Sequence, residues 1–286
     1  MDIKTTLKNY QKFNNFPFHI ERFDPAEPIR LHYHDCVELI FCTGGFAQNH
    51  IEDLSHQIGR GSLFVIGGRA THSMSEFRDF DGYRILFDIS LLEGLTDAVK
   101  NTSGYISMFL LNDNGYINYE YKCRMSAKGK YYERIASLME DLLYEYETGS
   151  FLNTDYMLLL FHSICVLIIK GFHANQNNTT KLFFDRAIAE LIKHLNEKTT
   201  VEDIAKSFGM SGRYFRKIFT RWYGISPSQF VMDTRLHRAK MLLSCSDKSI
   251  TEIAFSCGFY DSSHMLRAFK QFEGITPKEY RKKSRQ

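Results

Sequence analysis

Two stretches of the C-terminal third, residues 200–230 and 249–280, repeat one another position by position. Val201 matches Ile250, Ile204 Ile253, Ala205 Ala254, Gly209 Gly258, Phe219 Phe269, Gly224 Gly274, Ile225 Ile275, Pro227 Pro277 and Phe230 Tyr280, with one residue inserted after the first glycine of the second copy. A fixed pattern written twice commits the chain to building one supersecondary unit twice. Each copy opens with a helix-start signature, Thr200 with Asp203 and, more strongly, Ser249 with Glu252, in which side chains at the cap and three residues on satisfy each other's backbone N–H groups. Ile-Ala before the glycine lets two helices approach closely, and the glycine supplies the tight turn between them. The expected unit is therefore helix, glycine turn, helix. Between the copies, Ser226-Pro227 starts a further helix running to about Leu243, with serine as cap and proline at the first helical position. That helix would hold the units at a fixed separation, and Thr276-Pro277-Lys278-Glu279 starts the last helix in the same way.

The second helix of each unit shows what its outer face could meet. In SGRYFRKIFTRWYG, capped by Ser211, the apolar stripe reads Tyr214, Phe215, Ile218, Phe219, Trp222 and Tyr223; Gly212, Arg213, Arg216, Lys217, Thr220 and Arg221 lie opposite. In DSSHMLRAFKQFEG, capped by Asp261, the apolar set is Met265, Leu266, Phe269 and Phe272, leaving Ser262, Ser263, His264, Arg267 and Lys270 outward or at the start. Arginine pairs bidentately with guanine edges and Ser or His meets bases or phosphates, so both faces suit the major groove of double-stranded DNA. Basic faces also occur on inert helices. Charge sharpens the choice: residues 181–286 hold 20 Lys+Arg against 11 Asp+Glu, whereas residues 1–180 hold 16 against 22, so a net +9 end is joined to a net −6 remainder.

The stretch from about Val201 to Arg281, IAKSFGMSGRYFRKIFTRWYGISPSQFV, then RLHRAKMLL, then ITEIAFSCGFYDSSHMLRAFKQFEGITPKEYR, closely resembles the DNA-binding domain of AraC/XylS-family bacterial transcription regulators. The resemblance covers both units and the joining helix, and implies a reader with two recognition helices in one chain. Carried over by position, Arg213, Arg216 and Lys217 of the first helix, and Ser262, Ser263, His264 and Arg267 of the second, would face bases or phosphates. Met265 stands where that family often has an aromatic residue, at a core position.

Residues 29–89 read differently. IRLHYHDCVELIF, FAQNHIE, SLFVIGG and YRILFDI are short β-rich runs, with Gly44-Gly45, Gly59, Gly67-Gly68 and Asp81-Gly82 as the separators, which suggests a small barrel or sandwich. From about Ala127 the period becomes helical, with Tyr132, Ile135, Leu138, Met139, Leu142, Leu143 and Tyr146 at three- and four-residue steps. The apolar run Tyr156 to Ile169 follows; its 14 residues include His162 and Ser163, and a membrane span needs about 20, so it reads as a buried helix. The polar GFHANQNNTT segment (171–180) reads as a linker. The 286 residues, 44% hydrophobic and 24% charged, have an ordinary globular balance and are too many for one typical domain. The start, MDIKTTLKNYQKF, has no basic-then-apolar signal, which implies a cytoplasmic protein. The six scattered cysteines form no C-x-x-C and read as reduced packing residues.

One constellation in this half could carry chemistry: His32, His34, Glu38 and His72. H-x-H-x-x-x-E with a later His resembles the metal motif of cupin barrels, three imidazoles and a carboxylate. A straight strand would separate His32 from Glu38 by about 20 Å, so the chain must turn near Asp35-Cys36. Gly67 stands where cupins usually have proline and Arg69 where they have glycine. AraC-type regulators resemble this region too, keeping H-x-H-D-x-x-E as a structural or effector-contacting remnant. A metal-free effector pocket, satisfied core histidines and a metal centre are the open readings, and no metal or cofactor is assigned. No nucleotide-binding glycine loop, G-x-S-x-G or H-E-x-x-H is present, so enzyme classes other than the cupin oxygenase type have no foothold.

The expected fold is α+β and multidomain: a cupin-like β-barrel sensing domain (1–125), a helical pair for dimerisation or linkage (126–178), and an all-α double helix-turn-helix DNA-binding domain (179–286). The resemblance implies a non-enzymatic, effector-responsive regulator, an activator sensing a small metabolite such as a sugar. It would act as a homodimer away from membranes and with RNA polymerase as a partner. The competing expectation is a metal-dependent cupin enzyme or metal sensor fused to a DNA-binding module.

Overall fold

The computed structural model describes residues 3–13, 16–51, 54–67, 70–100, 102–110, 124–149, 153–174, 190–191, 200–223 and 225–284. The chain divides into two compact units, Met1–Leu182 and Phe183–Gln286. The segment 175–180 of the expected linker and Cys123 lie outside the described residues; Gly171–Ala174 end a helix instead.

The first unit is built on an eight-stranded sheet: β1 (Ile3–Thr5), β2 (Phe18–Arg22), β3 (Ile29–His34), β4 (Val37–Ile51), β5 (Leu54–Gly59), β6 (Ser62–Ile66), β7 (His72–Phe87) and β8 (Arg124–Ser126). Hydrogen bonds connect them in the order β1-β3-β7-β4-β6-β8, with β2 also on β7 and β5 also on β4. β1 runs parallel to β3 and the other pairs are antiparallel. The spine is a ribbon of β4 and β7, registered from Val37↔Phe87 at one end to Ile51↔His72 at the other. Glu38 is near the first end and His72 at the second, about 40 Å apart along a flat ribbon, yet their side chains touch at 2.7 Å. The ribbon is therefore rolled upon itself. Among the described residues no ladder joins β1 to β8, so the expected cupin-like barrel is a rolled sheet with two edges.

The rolling explains where the expected turns went. Gly44-Gly45 and Asp81-Gly82 do not separate strands; they sit inside β4 and β7, where the register shifts three times between Cys42 and Gln48. Irregularities of this kind bend a ribbon and increase its twist. Gly45 has φ +59°, and a Cβ there would stand 2.1 Å from the Asp79 carbonyl oxygen, so only glycine allows the two chains to pass.

Both faces of the first part of β4 are buried, because the sheet has cover on both sides. Ile40 and Cys42 face the interior with Phe23, Ala47, Ile58, Phe64 and Met74. The opposite face meets two helices, α1 (Lys130–Thr148) and α2 (Thr154–Ala174). Phe161 of α2 packs edge-on against Phe18 and Phe87, with ring centroids 5.3 and 4.8 Å apart, and Tyr132 of α1 lies against Phe41 at 5.5 Å. By length and composition α2 could cross a membrane. Its Met157, Phe161, Ile164, Cys165 and Ile168 are instead buried inside the unit. Cys36, Cys42, Cys165 and Cys257 are buried thiols, none in a disulfide, consistent with the packing role expected.

The second unit is helical: α3 (Val201–Ser207), α4 (Gly212–Tyr223), α5 (Pro227–Cys245), α6 (Ile250–Ser256), α7 (Ser262–Glu273) and α8 (Pro277–Ser284). α5 serves both repeats. Phe230 near its start packs on Phe219 of α4, at 5.7 Å between centroids. Leu236, Ala239 and Leu243 farther along share a core with Ile253, Ala254, Cys257, Phe259, Met265 and Phe269.

Candidate nucleic-acid interface and buried histidine site

The two repeats fold as the same object, bond for bond through the turn. Thr200 and Asp203 complete a reciprocal capping box, as do Ser249 and Glu252, so the pair that looked weaker in the sequence is fully formed. α3 ends with the N–H of Gly209 donating to the Lys206 carbonyl and that of Met210 to Ala205; α6 ends with Gly258 donating to Phe255 and Phe259 to Ala254. This is the Schellman closure, which needs a left-handed residue at the glycine. Gly209 and Gly258 supply it with φ +69° and +79°. The inserted residue then falls in the turn. α4 starts at Gly212, where the Ser211 hydroxyl accepts from the Tyr214 N–H at 3.3 Å, and α7 starts at Ser262, where Asp261 accepts from the His264 N–H at 2.6 Å. Ser226 and Thr276 cap α5 and α8 as expected, accepting from Gln229 N–H and Glu279 N–H.

The buried sides of the second helices are narrower than the sequence stripe. Phe215 and Phe219 are buried in α4, and Met265 and Phe269 in α7. Tyr214 is 52% exposed and Leu266 43%, so both belong to the outer faces. Two buried positions four apart define an arc about 40° wide, and Tyr214 lies roughly 100° and Leu266 roughly 60° outside it. Arg213, Arg216, Lys217, Thr220 and Arg221 of α4 are exposed, as are Ser263, Arg267 and Lys270 of α7. Ser262 and His264 are half-buried, and the His264 ring stands edge-on to Phe259 at 5.5 Å. Arg216 forms an ion pair with Glu202 of α3, a partner that nothing in the sequence singled out.

In the first unit, β3, β4 and β7 bring His32, His34, Glu38 and His72 together. A bend at Asp35-Cys36 separates β3 from β4 where a turn was required, and Asp35 is anchored by accepting the Leu7 N–H at 3.0 Å. His32 and His72 are paired across β3 and β7. Glu38 faces the same interior as Ile40 and Cys42. One ligand atom from each of the four residues can be chosen so that all lie within 4.8 Å of one another. His34, Glu38 and His72 are buried and His32 half-buried. The carboxylate is the centre: Glu38 Oε2 lies 2.7 Å from His72 Nε2 and 3.4 Å from His34 Nε2.

Glu38's other oxygen lies 3.8 Å from Arg84, whose guanidinium also pairs with Glu21 and stacks over Phe23. Arg84, a cation within the apolar run YRILF, is the participant that sequence reading missed. Burial pushes the Glu38 carboxyl up, but His72 and His34 beside it prevail and hold it well below the usual carboxylate range. Burial lowers the His32 imidazole to about 4, with His72 adding to the effect. Burial also opposes the charged form of His72, yet Glu38 outweighs it and raises that imidazole. The site thus favours one anionic carboxylate among imidazoles of unequal basicity.

The family model described as a helix-turn-helix domain matches residues 183–283. The chain is 26% identical to the HTH-type transcriptional activator RhaS of Klebsiella pneumoniae over 258 residues, covering 90% of this chain and 89% of that one. It is 24% identical to the HTH-type transcriptional activator RhaR of Enterobacter, covering 91% and 90%. The crystal structure of the DNA-binding domain of AdpA in complex with a target DNA is 33% identical over 35% of this chain and 89% of that one, with a TM-score of 0.34.

Proposed function

Because the chain belongs to the AraC/XylS family of helix-turn-helix transcription regulators, we propose that it is a cytoplasmic, effector-responsive activator that reads a bipartite DNA site with α4 and α7. The observation that carries this reading is the duplicated, identically closed helix-turn-helix with Arg213, Arg216 and Lys217 exposed on one second helix and Arg267 on the other. Arg213, Arg216, Lys217, Ser263 and Arg267 are assigned to bases or phosphates. Ser262 and His264, at the start of α7, are assigned to bases or phosphates as well, the His264 ring lying edge-on to Phe259. Rigid attachment of both units to α5 would set the half-sites about one helical turn, 10 to 10.5 bp, apart.

Residues 1–125 form the sensing domain and 126–178 the helical pair in this reading. The effector is a small metabolite such as a sugar, taken up within the rolled sheet beside His32, His34, Glu38 and His72. Its binding alters the populations of states able to engage DNA and RNA polymerase. The activator role accords with the names of the RhaS and RhaR relatives. Tyr144 on α1 and Tyr156 and Leu159 on α2 point outward, and their apolar surface suits pairing of two copies. Sedimentation showing a monomer at all concentrations, with and without effector, would refute the dimer. No chemical step is assigned to the protein.

The decisive experiment incubates full-length protein with fragmented DNA of its source genome at near-physiological salt and sequences what is retained. Enrichment of a two-part motif, lost in Arg213→Ala/Arg267→Ala, is expected. Retention that only tracks salt and ignores sequence, with effector mixtures present or absent, would overturn sequence-specific reading.

A further inference from the structure

We propose that His32, His34, Glu38 and His72 form a binding site for one divalent first-row transition metal ion, of the zinc, iron, cobalt or nickel kind. The inference stands apart from the DNA-binding reading and goes beyond it.

Four features of the geometry carry it. First, three imidazoles and a carboxylate from three strands converge with ligand atoms within 4.8 Å of one another. Donors held at 2.0–2.1 Å around a tetrahedral ion lie roughly 3.3 Å apart, so side-chain rotations of about an ångström close the site. Second, the histidines are oriented from behind. His32 Nδ1 lies 2.8 Å from the Arg30 carbonyl and His72 Nδ1 3.1 Å from the Ala70 carbonyl. Donation of Nδ1–H to a carbonyl leaves Nε2 as the lone-pair nitrogen, the arrangement by which a second layer of hydrogen bonds prepares a metal-ligating imidazole.

Third, the polar atoms that face the centre have little beyond one another: Nδ1 of His34 is buried without a hydrogen-bonding partner, and Nε2 of His34 and Nε2 of His72 both face the one oxygen Oε2 of Glu38, at 3.4 and 2.7 Å. Buried polar atoms are normally satisfied, and leaving one unpaired costs about 1–3 kcal/mol. A lone-pair nitrogen 2.7 Å from a carboxylate oxygen is repulsive unless something positive sits between them. A proton can serve one such contact. A dication serves all four donors at once. Fourth, the charges suit a dication: the donors sum to −1, and Arg84, set behind Glu38 and itself paired with Glu21, steadies the carboxylate without entering the cluster. His32 is half-buried, so the cluster is accessible from its side. A nitrogen-rich set selects against Mg²⁺ and Ca²⁺, which take oxygen ligands.

The test uses the full chain, tag removed and stripped with chelator, titrated separately with Zn²⁺, Co²⁺ and, anaerobically, Fe²⁺. One equivalent should remain after desalting, with visible Co²⁺ absorption bands typical of nitrogen coordination and a raised melting temperature. Mg²⁺ should do none of this. His34→Ala and His72→Ala should each weaken retention at least tenfold, and Glu38→Gln, which keeps shape and size, should weaken it as well. His50→Ala, at a histidine bonded to Ser75 outside the cluster, should bind like the parent protein. Failure of folded parent protein to retain any of the three ions would overturn the proposal and leave a protonated His72–Glu38 pair as the state of the site. Retention undiminished in Glu38→Gln and in whichever histidine variants fold would overturn it too, by placing the ion elsewhere. DNA binding is not needed for any of these readouts, so loss of the regulatory reading would not touch them.

Discussion

The two helix-turn-helix copies are closed by the same backbone bonds but present different surfaces. α3–α4 offers Arg213, Tyr214, Arg216, Lys217 and Arg221. α6–α7 offers Ser263, Leu266, Arg267 and Lys270, with His264 drawn in against Phe259. Phe255 and Tyr260 stand outside the second copy at 59% and 84% exposure. The frame is fixed by caps, glycines and a few buried rings, and the reading face is then free to diverge. On the proposed reading, the charge-rich first face would supply more of the electrostatic affinity, and the sparser, more apolar second face more of the shape and base discrimination.

The strongest way to test that common frame is to remove its keystones. Phe219→Ala and Phe269→Ala delete equivalent, fully buried rings and should each cost about 3–5 kcal/mol. Because α5 is packed against both copies, either change should loosen the joining helix as well as its own unit. Hydrogen exchange resolved along the full chain checks this. Fast exchange confined to the mutated copy, with α5 fully protected, would show the copies to be energetically independent.

The contrast between the faces predicts different failures in DNA binding. Arg267→Ala should cost about 1–3 kcal/mol at particular base positions and leave the salt dependence nearly unchanged. Lys217→Ala should weaken all sequences alike and reduce the salt slope by about one. Binding isotherms at several salt concentrations on the selected site and on single-base variants separate the two. Equal salt slopes for both variants would erase the distinction drawn between the copies. Arg216 is an intermediate case, since any DNA contact it makes would compete with its ion pair to Glu202.

A smaller effect tests the turns. Gly209 and Gly258 share the left-handed backbone that an L side chain adopts at a cost of about 1–2 kcal/mol, and a Cβ on Gly209 would meet nothing within 4 Å. Gly209→Ala should therefore show the conformational cost alone, as a modest fall in the melting transition of the second unit. A drop as large as that of Phe219→Ala would mean that the turn contributes packing not visible in its surroundings.

How much of this was legible in advance depended on whether the signal was local. Caps, glycine turns and the joining helix are decided within four residues of themselves, and Ser249–Glu252, Ser226-Pro227 and Asp261 were readable directly. The width of the buried stripe was not: Tyr214 and Leu266 are apolar residues whose fate depends on how far neighbouring helices reach around. In the sheet, glycine pairs marked special backbone correctly, yet Gly44-Gly45 bends one long strand, because rolling the β4–β7 ribbon is a property of the whole sheet. The four residues of the buried cluster were legible by type and spacing. Arg84 was not, since its role arises only when β7 lies beside β4.

The smallest expected effect concerns acid. Asp203, Glu252 and Glu279 close their capping boxes by accepting backbone N–H groups: Thr200 N–H at 2.9 Å for Asp203, and Ser249 and Thr276 N–H at 2.7 Å for Glu252 and Glu279. These bonds hold the three carboxyls below their ordinary values: for Asp203 the Thr200 side chain acts first, and for Glu252 and Glu279 the backbone N–H does. A carboxyl whose pKa is lower folded than unfolded contributes stability that is complete above the unfolded value, about 4, and is lost as pH falls through the folded value. The second copy, with α8, carries two such glutamates and the first copy one aspartate. Between pH 5 and 3, exchange protection should therefore fall more over α6 and α8 taken together than over α3. Glu252→Gln keeps a side-chain acceptor without a titrating charge, and should flatten the pH dependence of α6 while leaving that of α3 as it was. An α6 that loses protection on acidification equally in the parent and in Glu252→Gln would place its acid sensitivity in the core it shares with α5 and α7, and the caps would then be equivalent in the two copies.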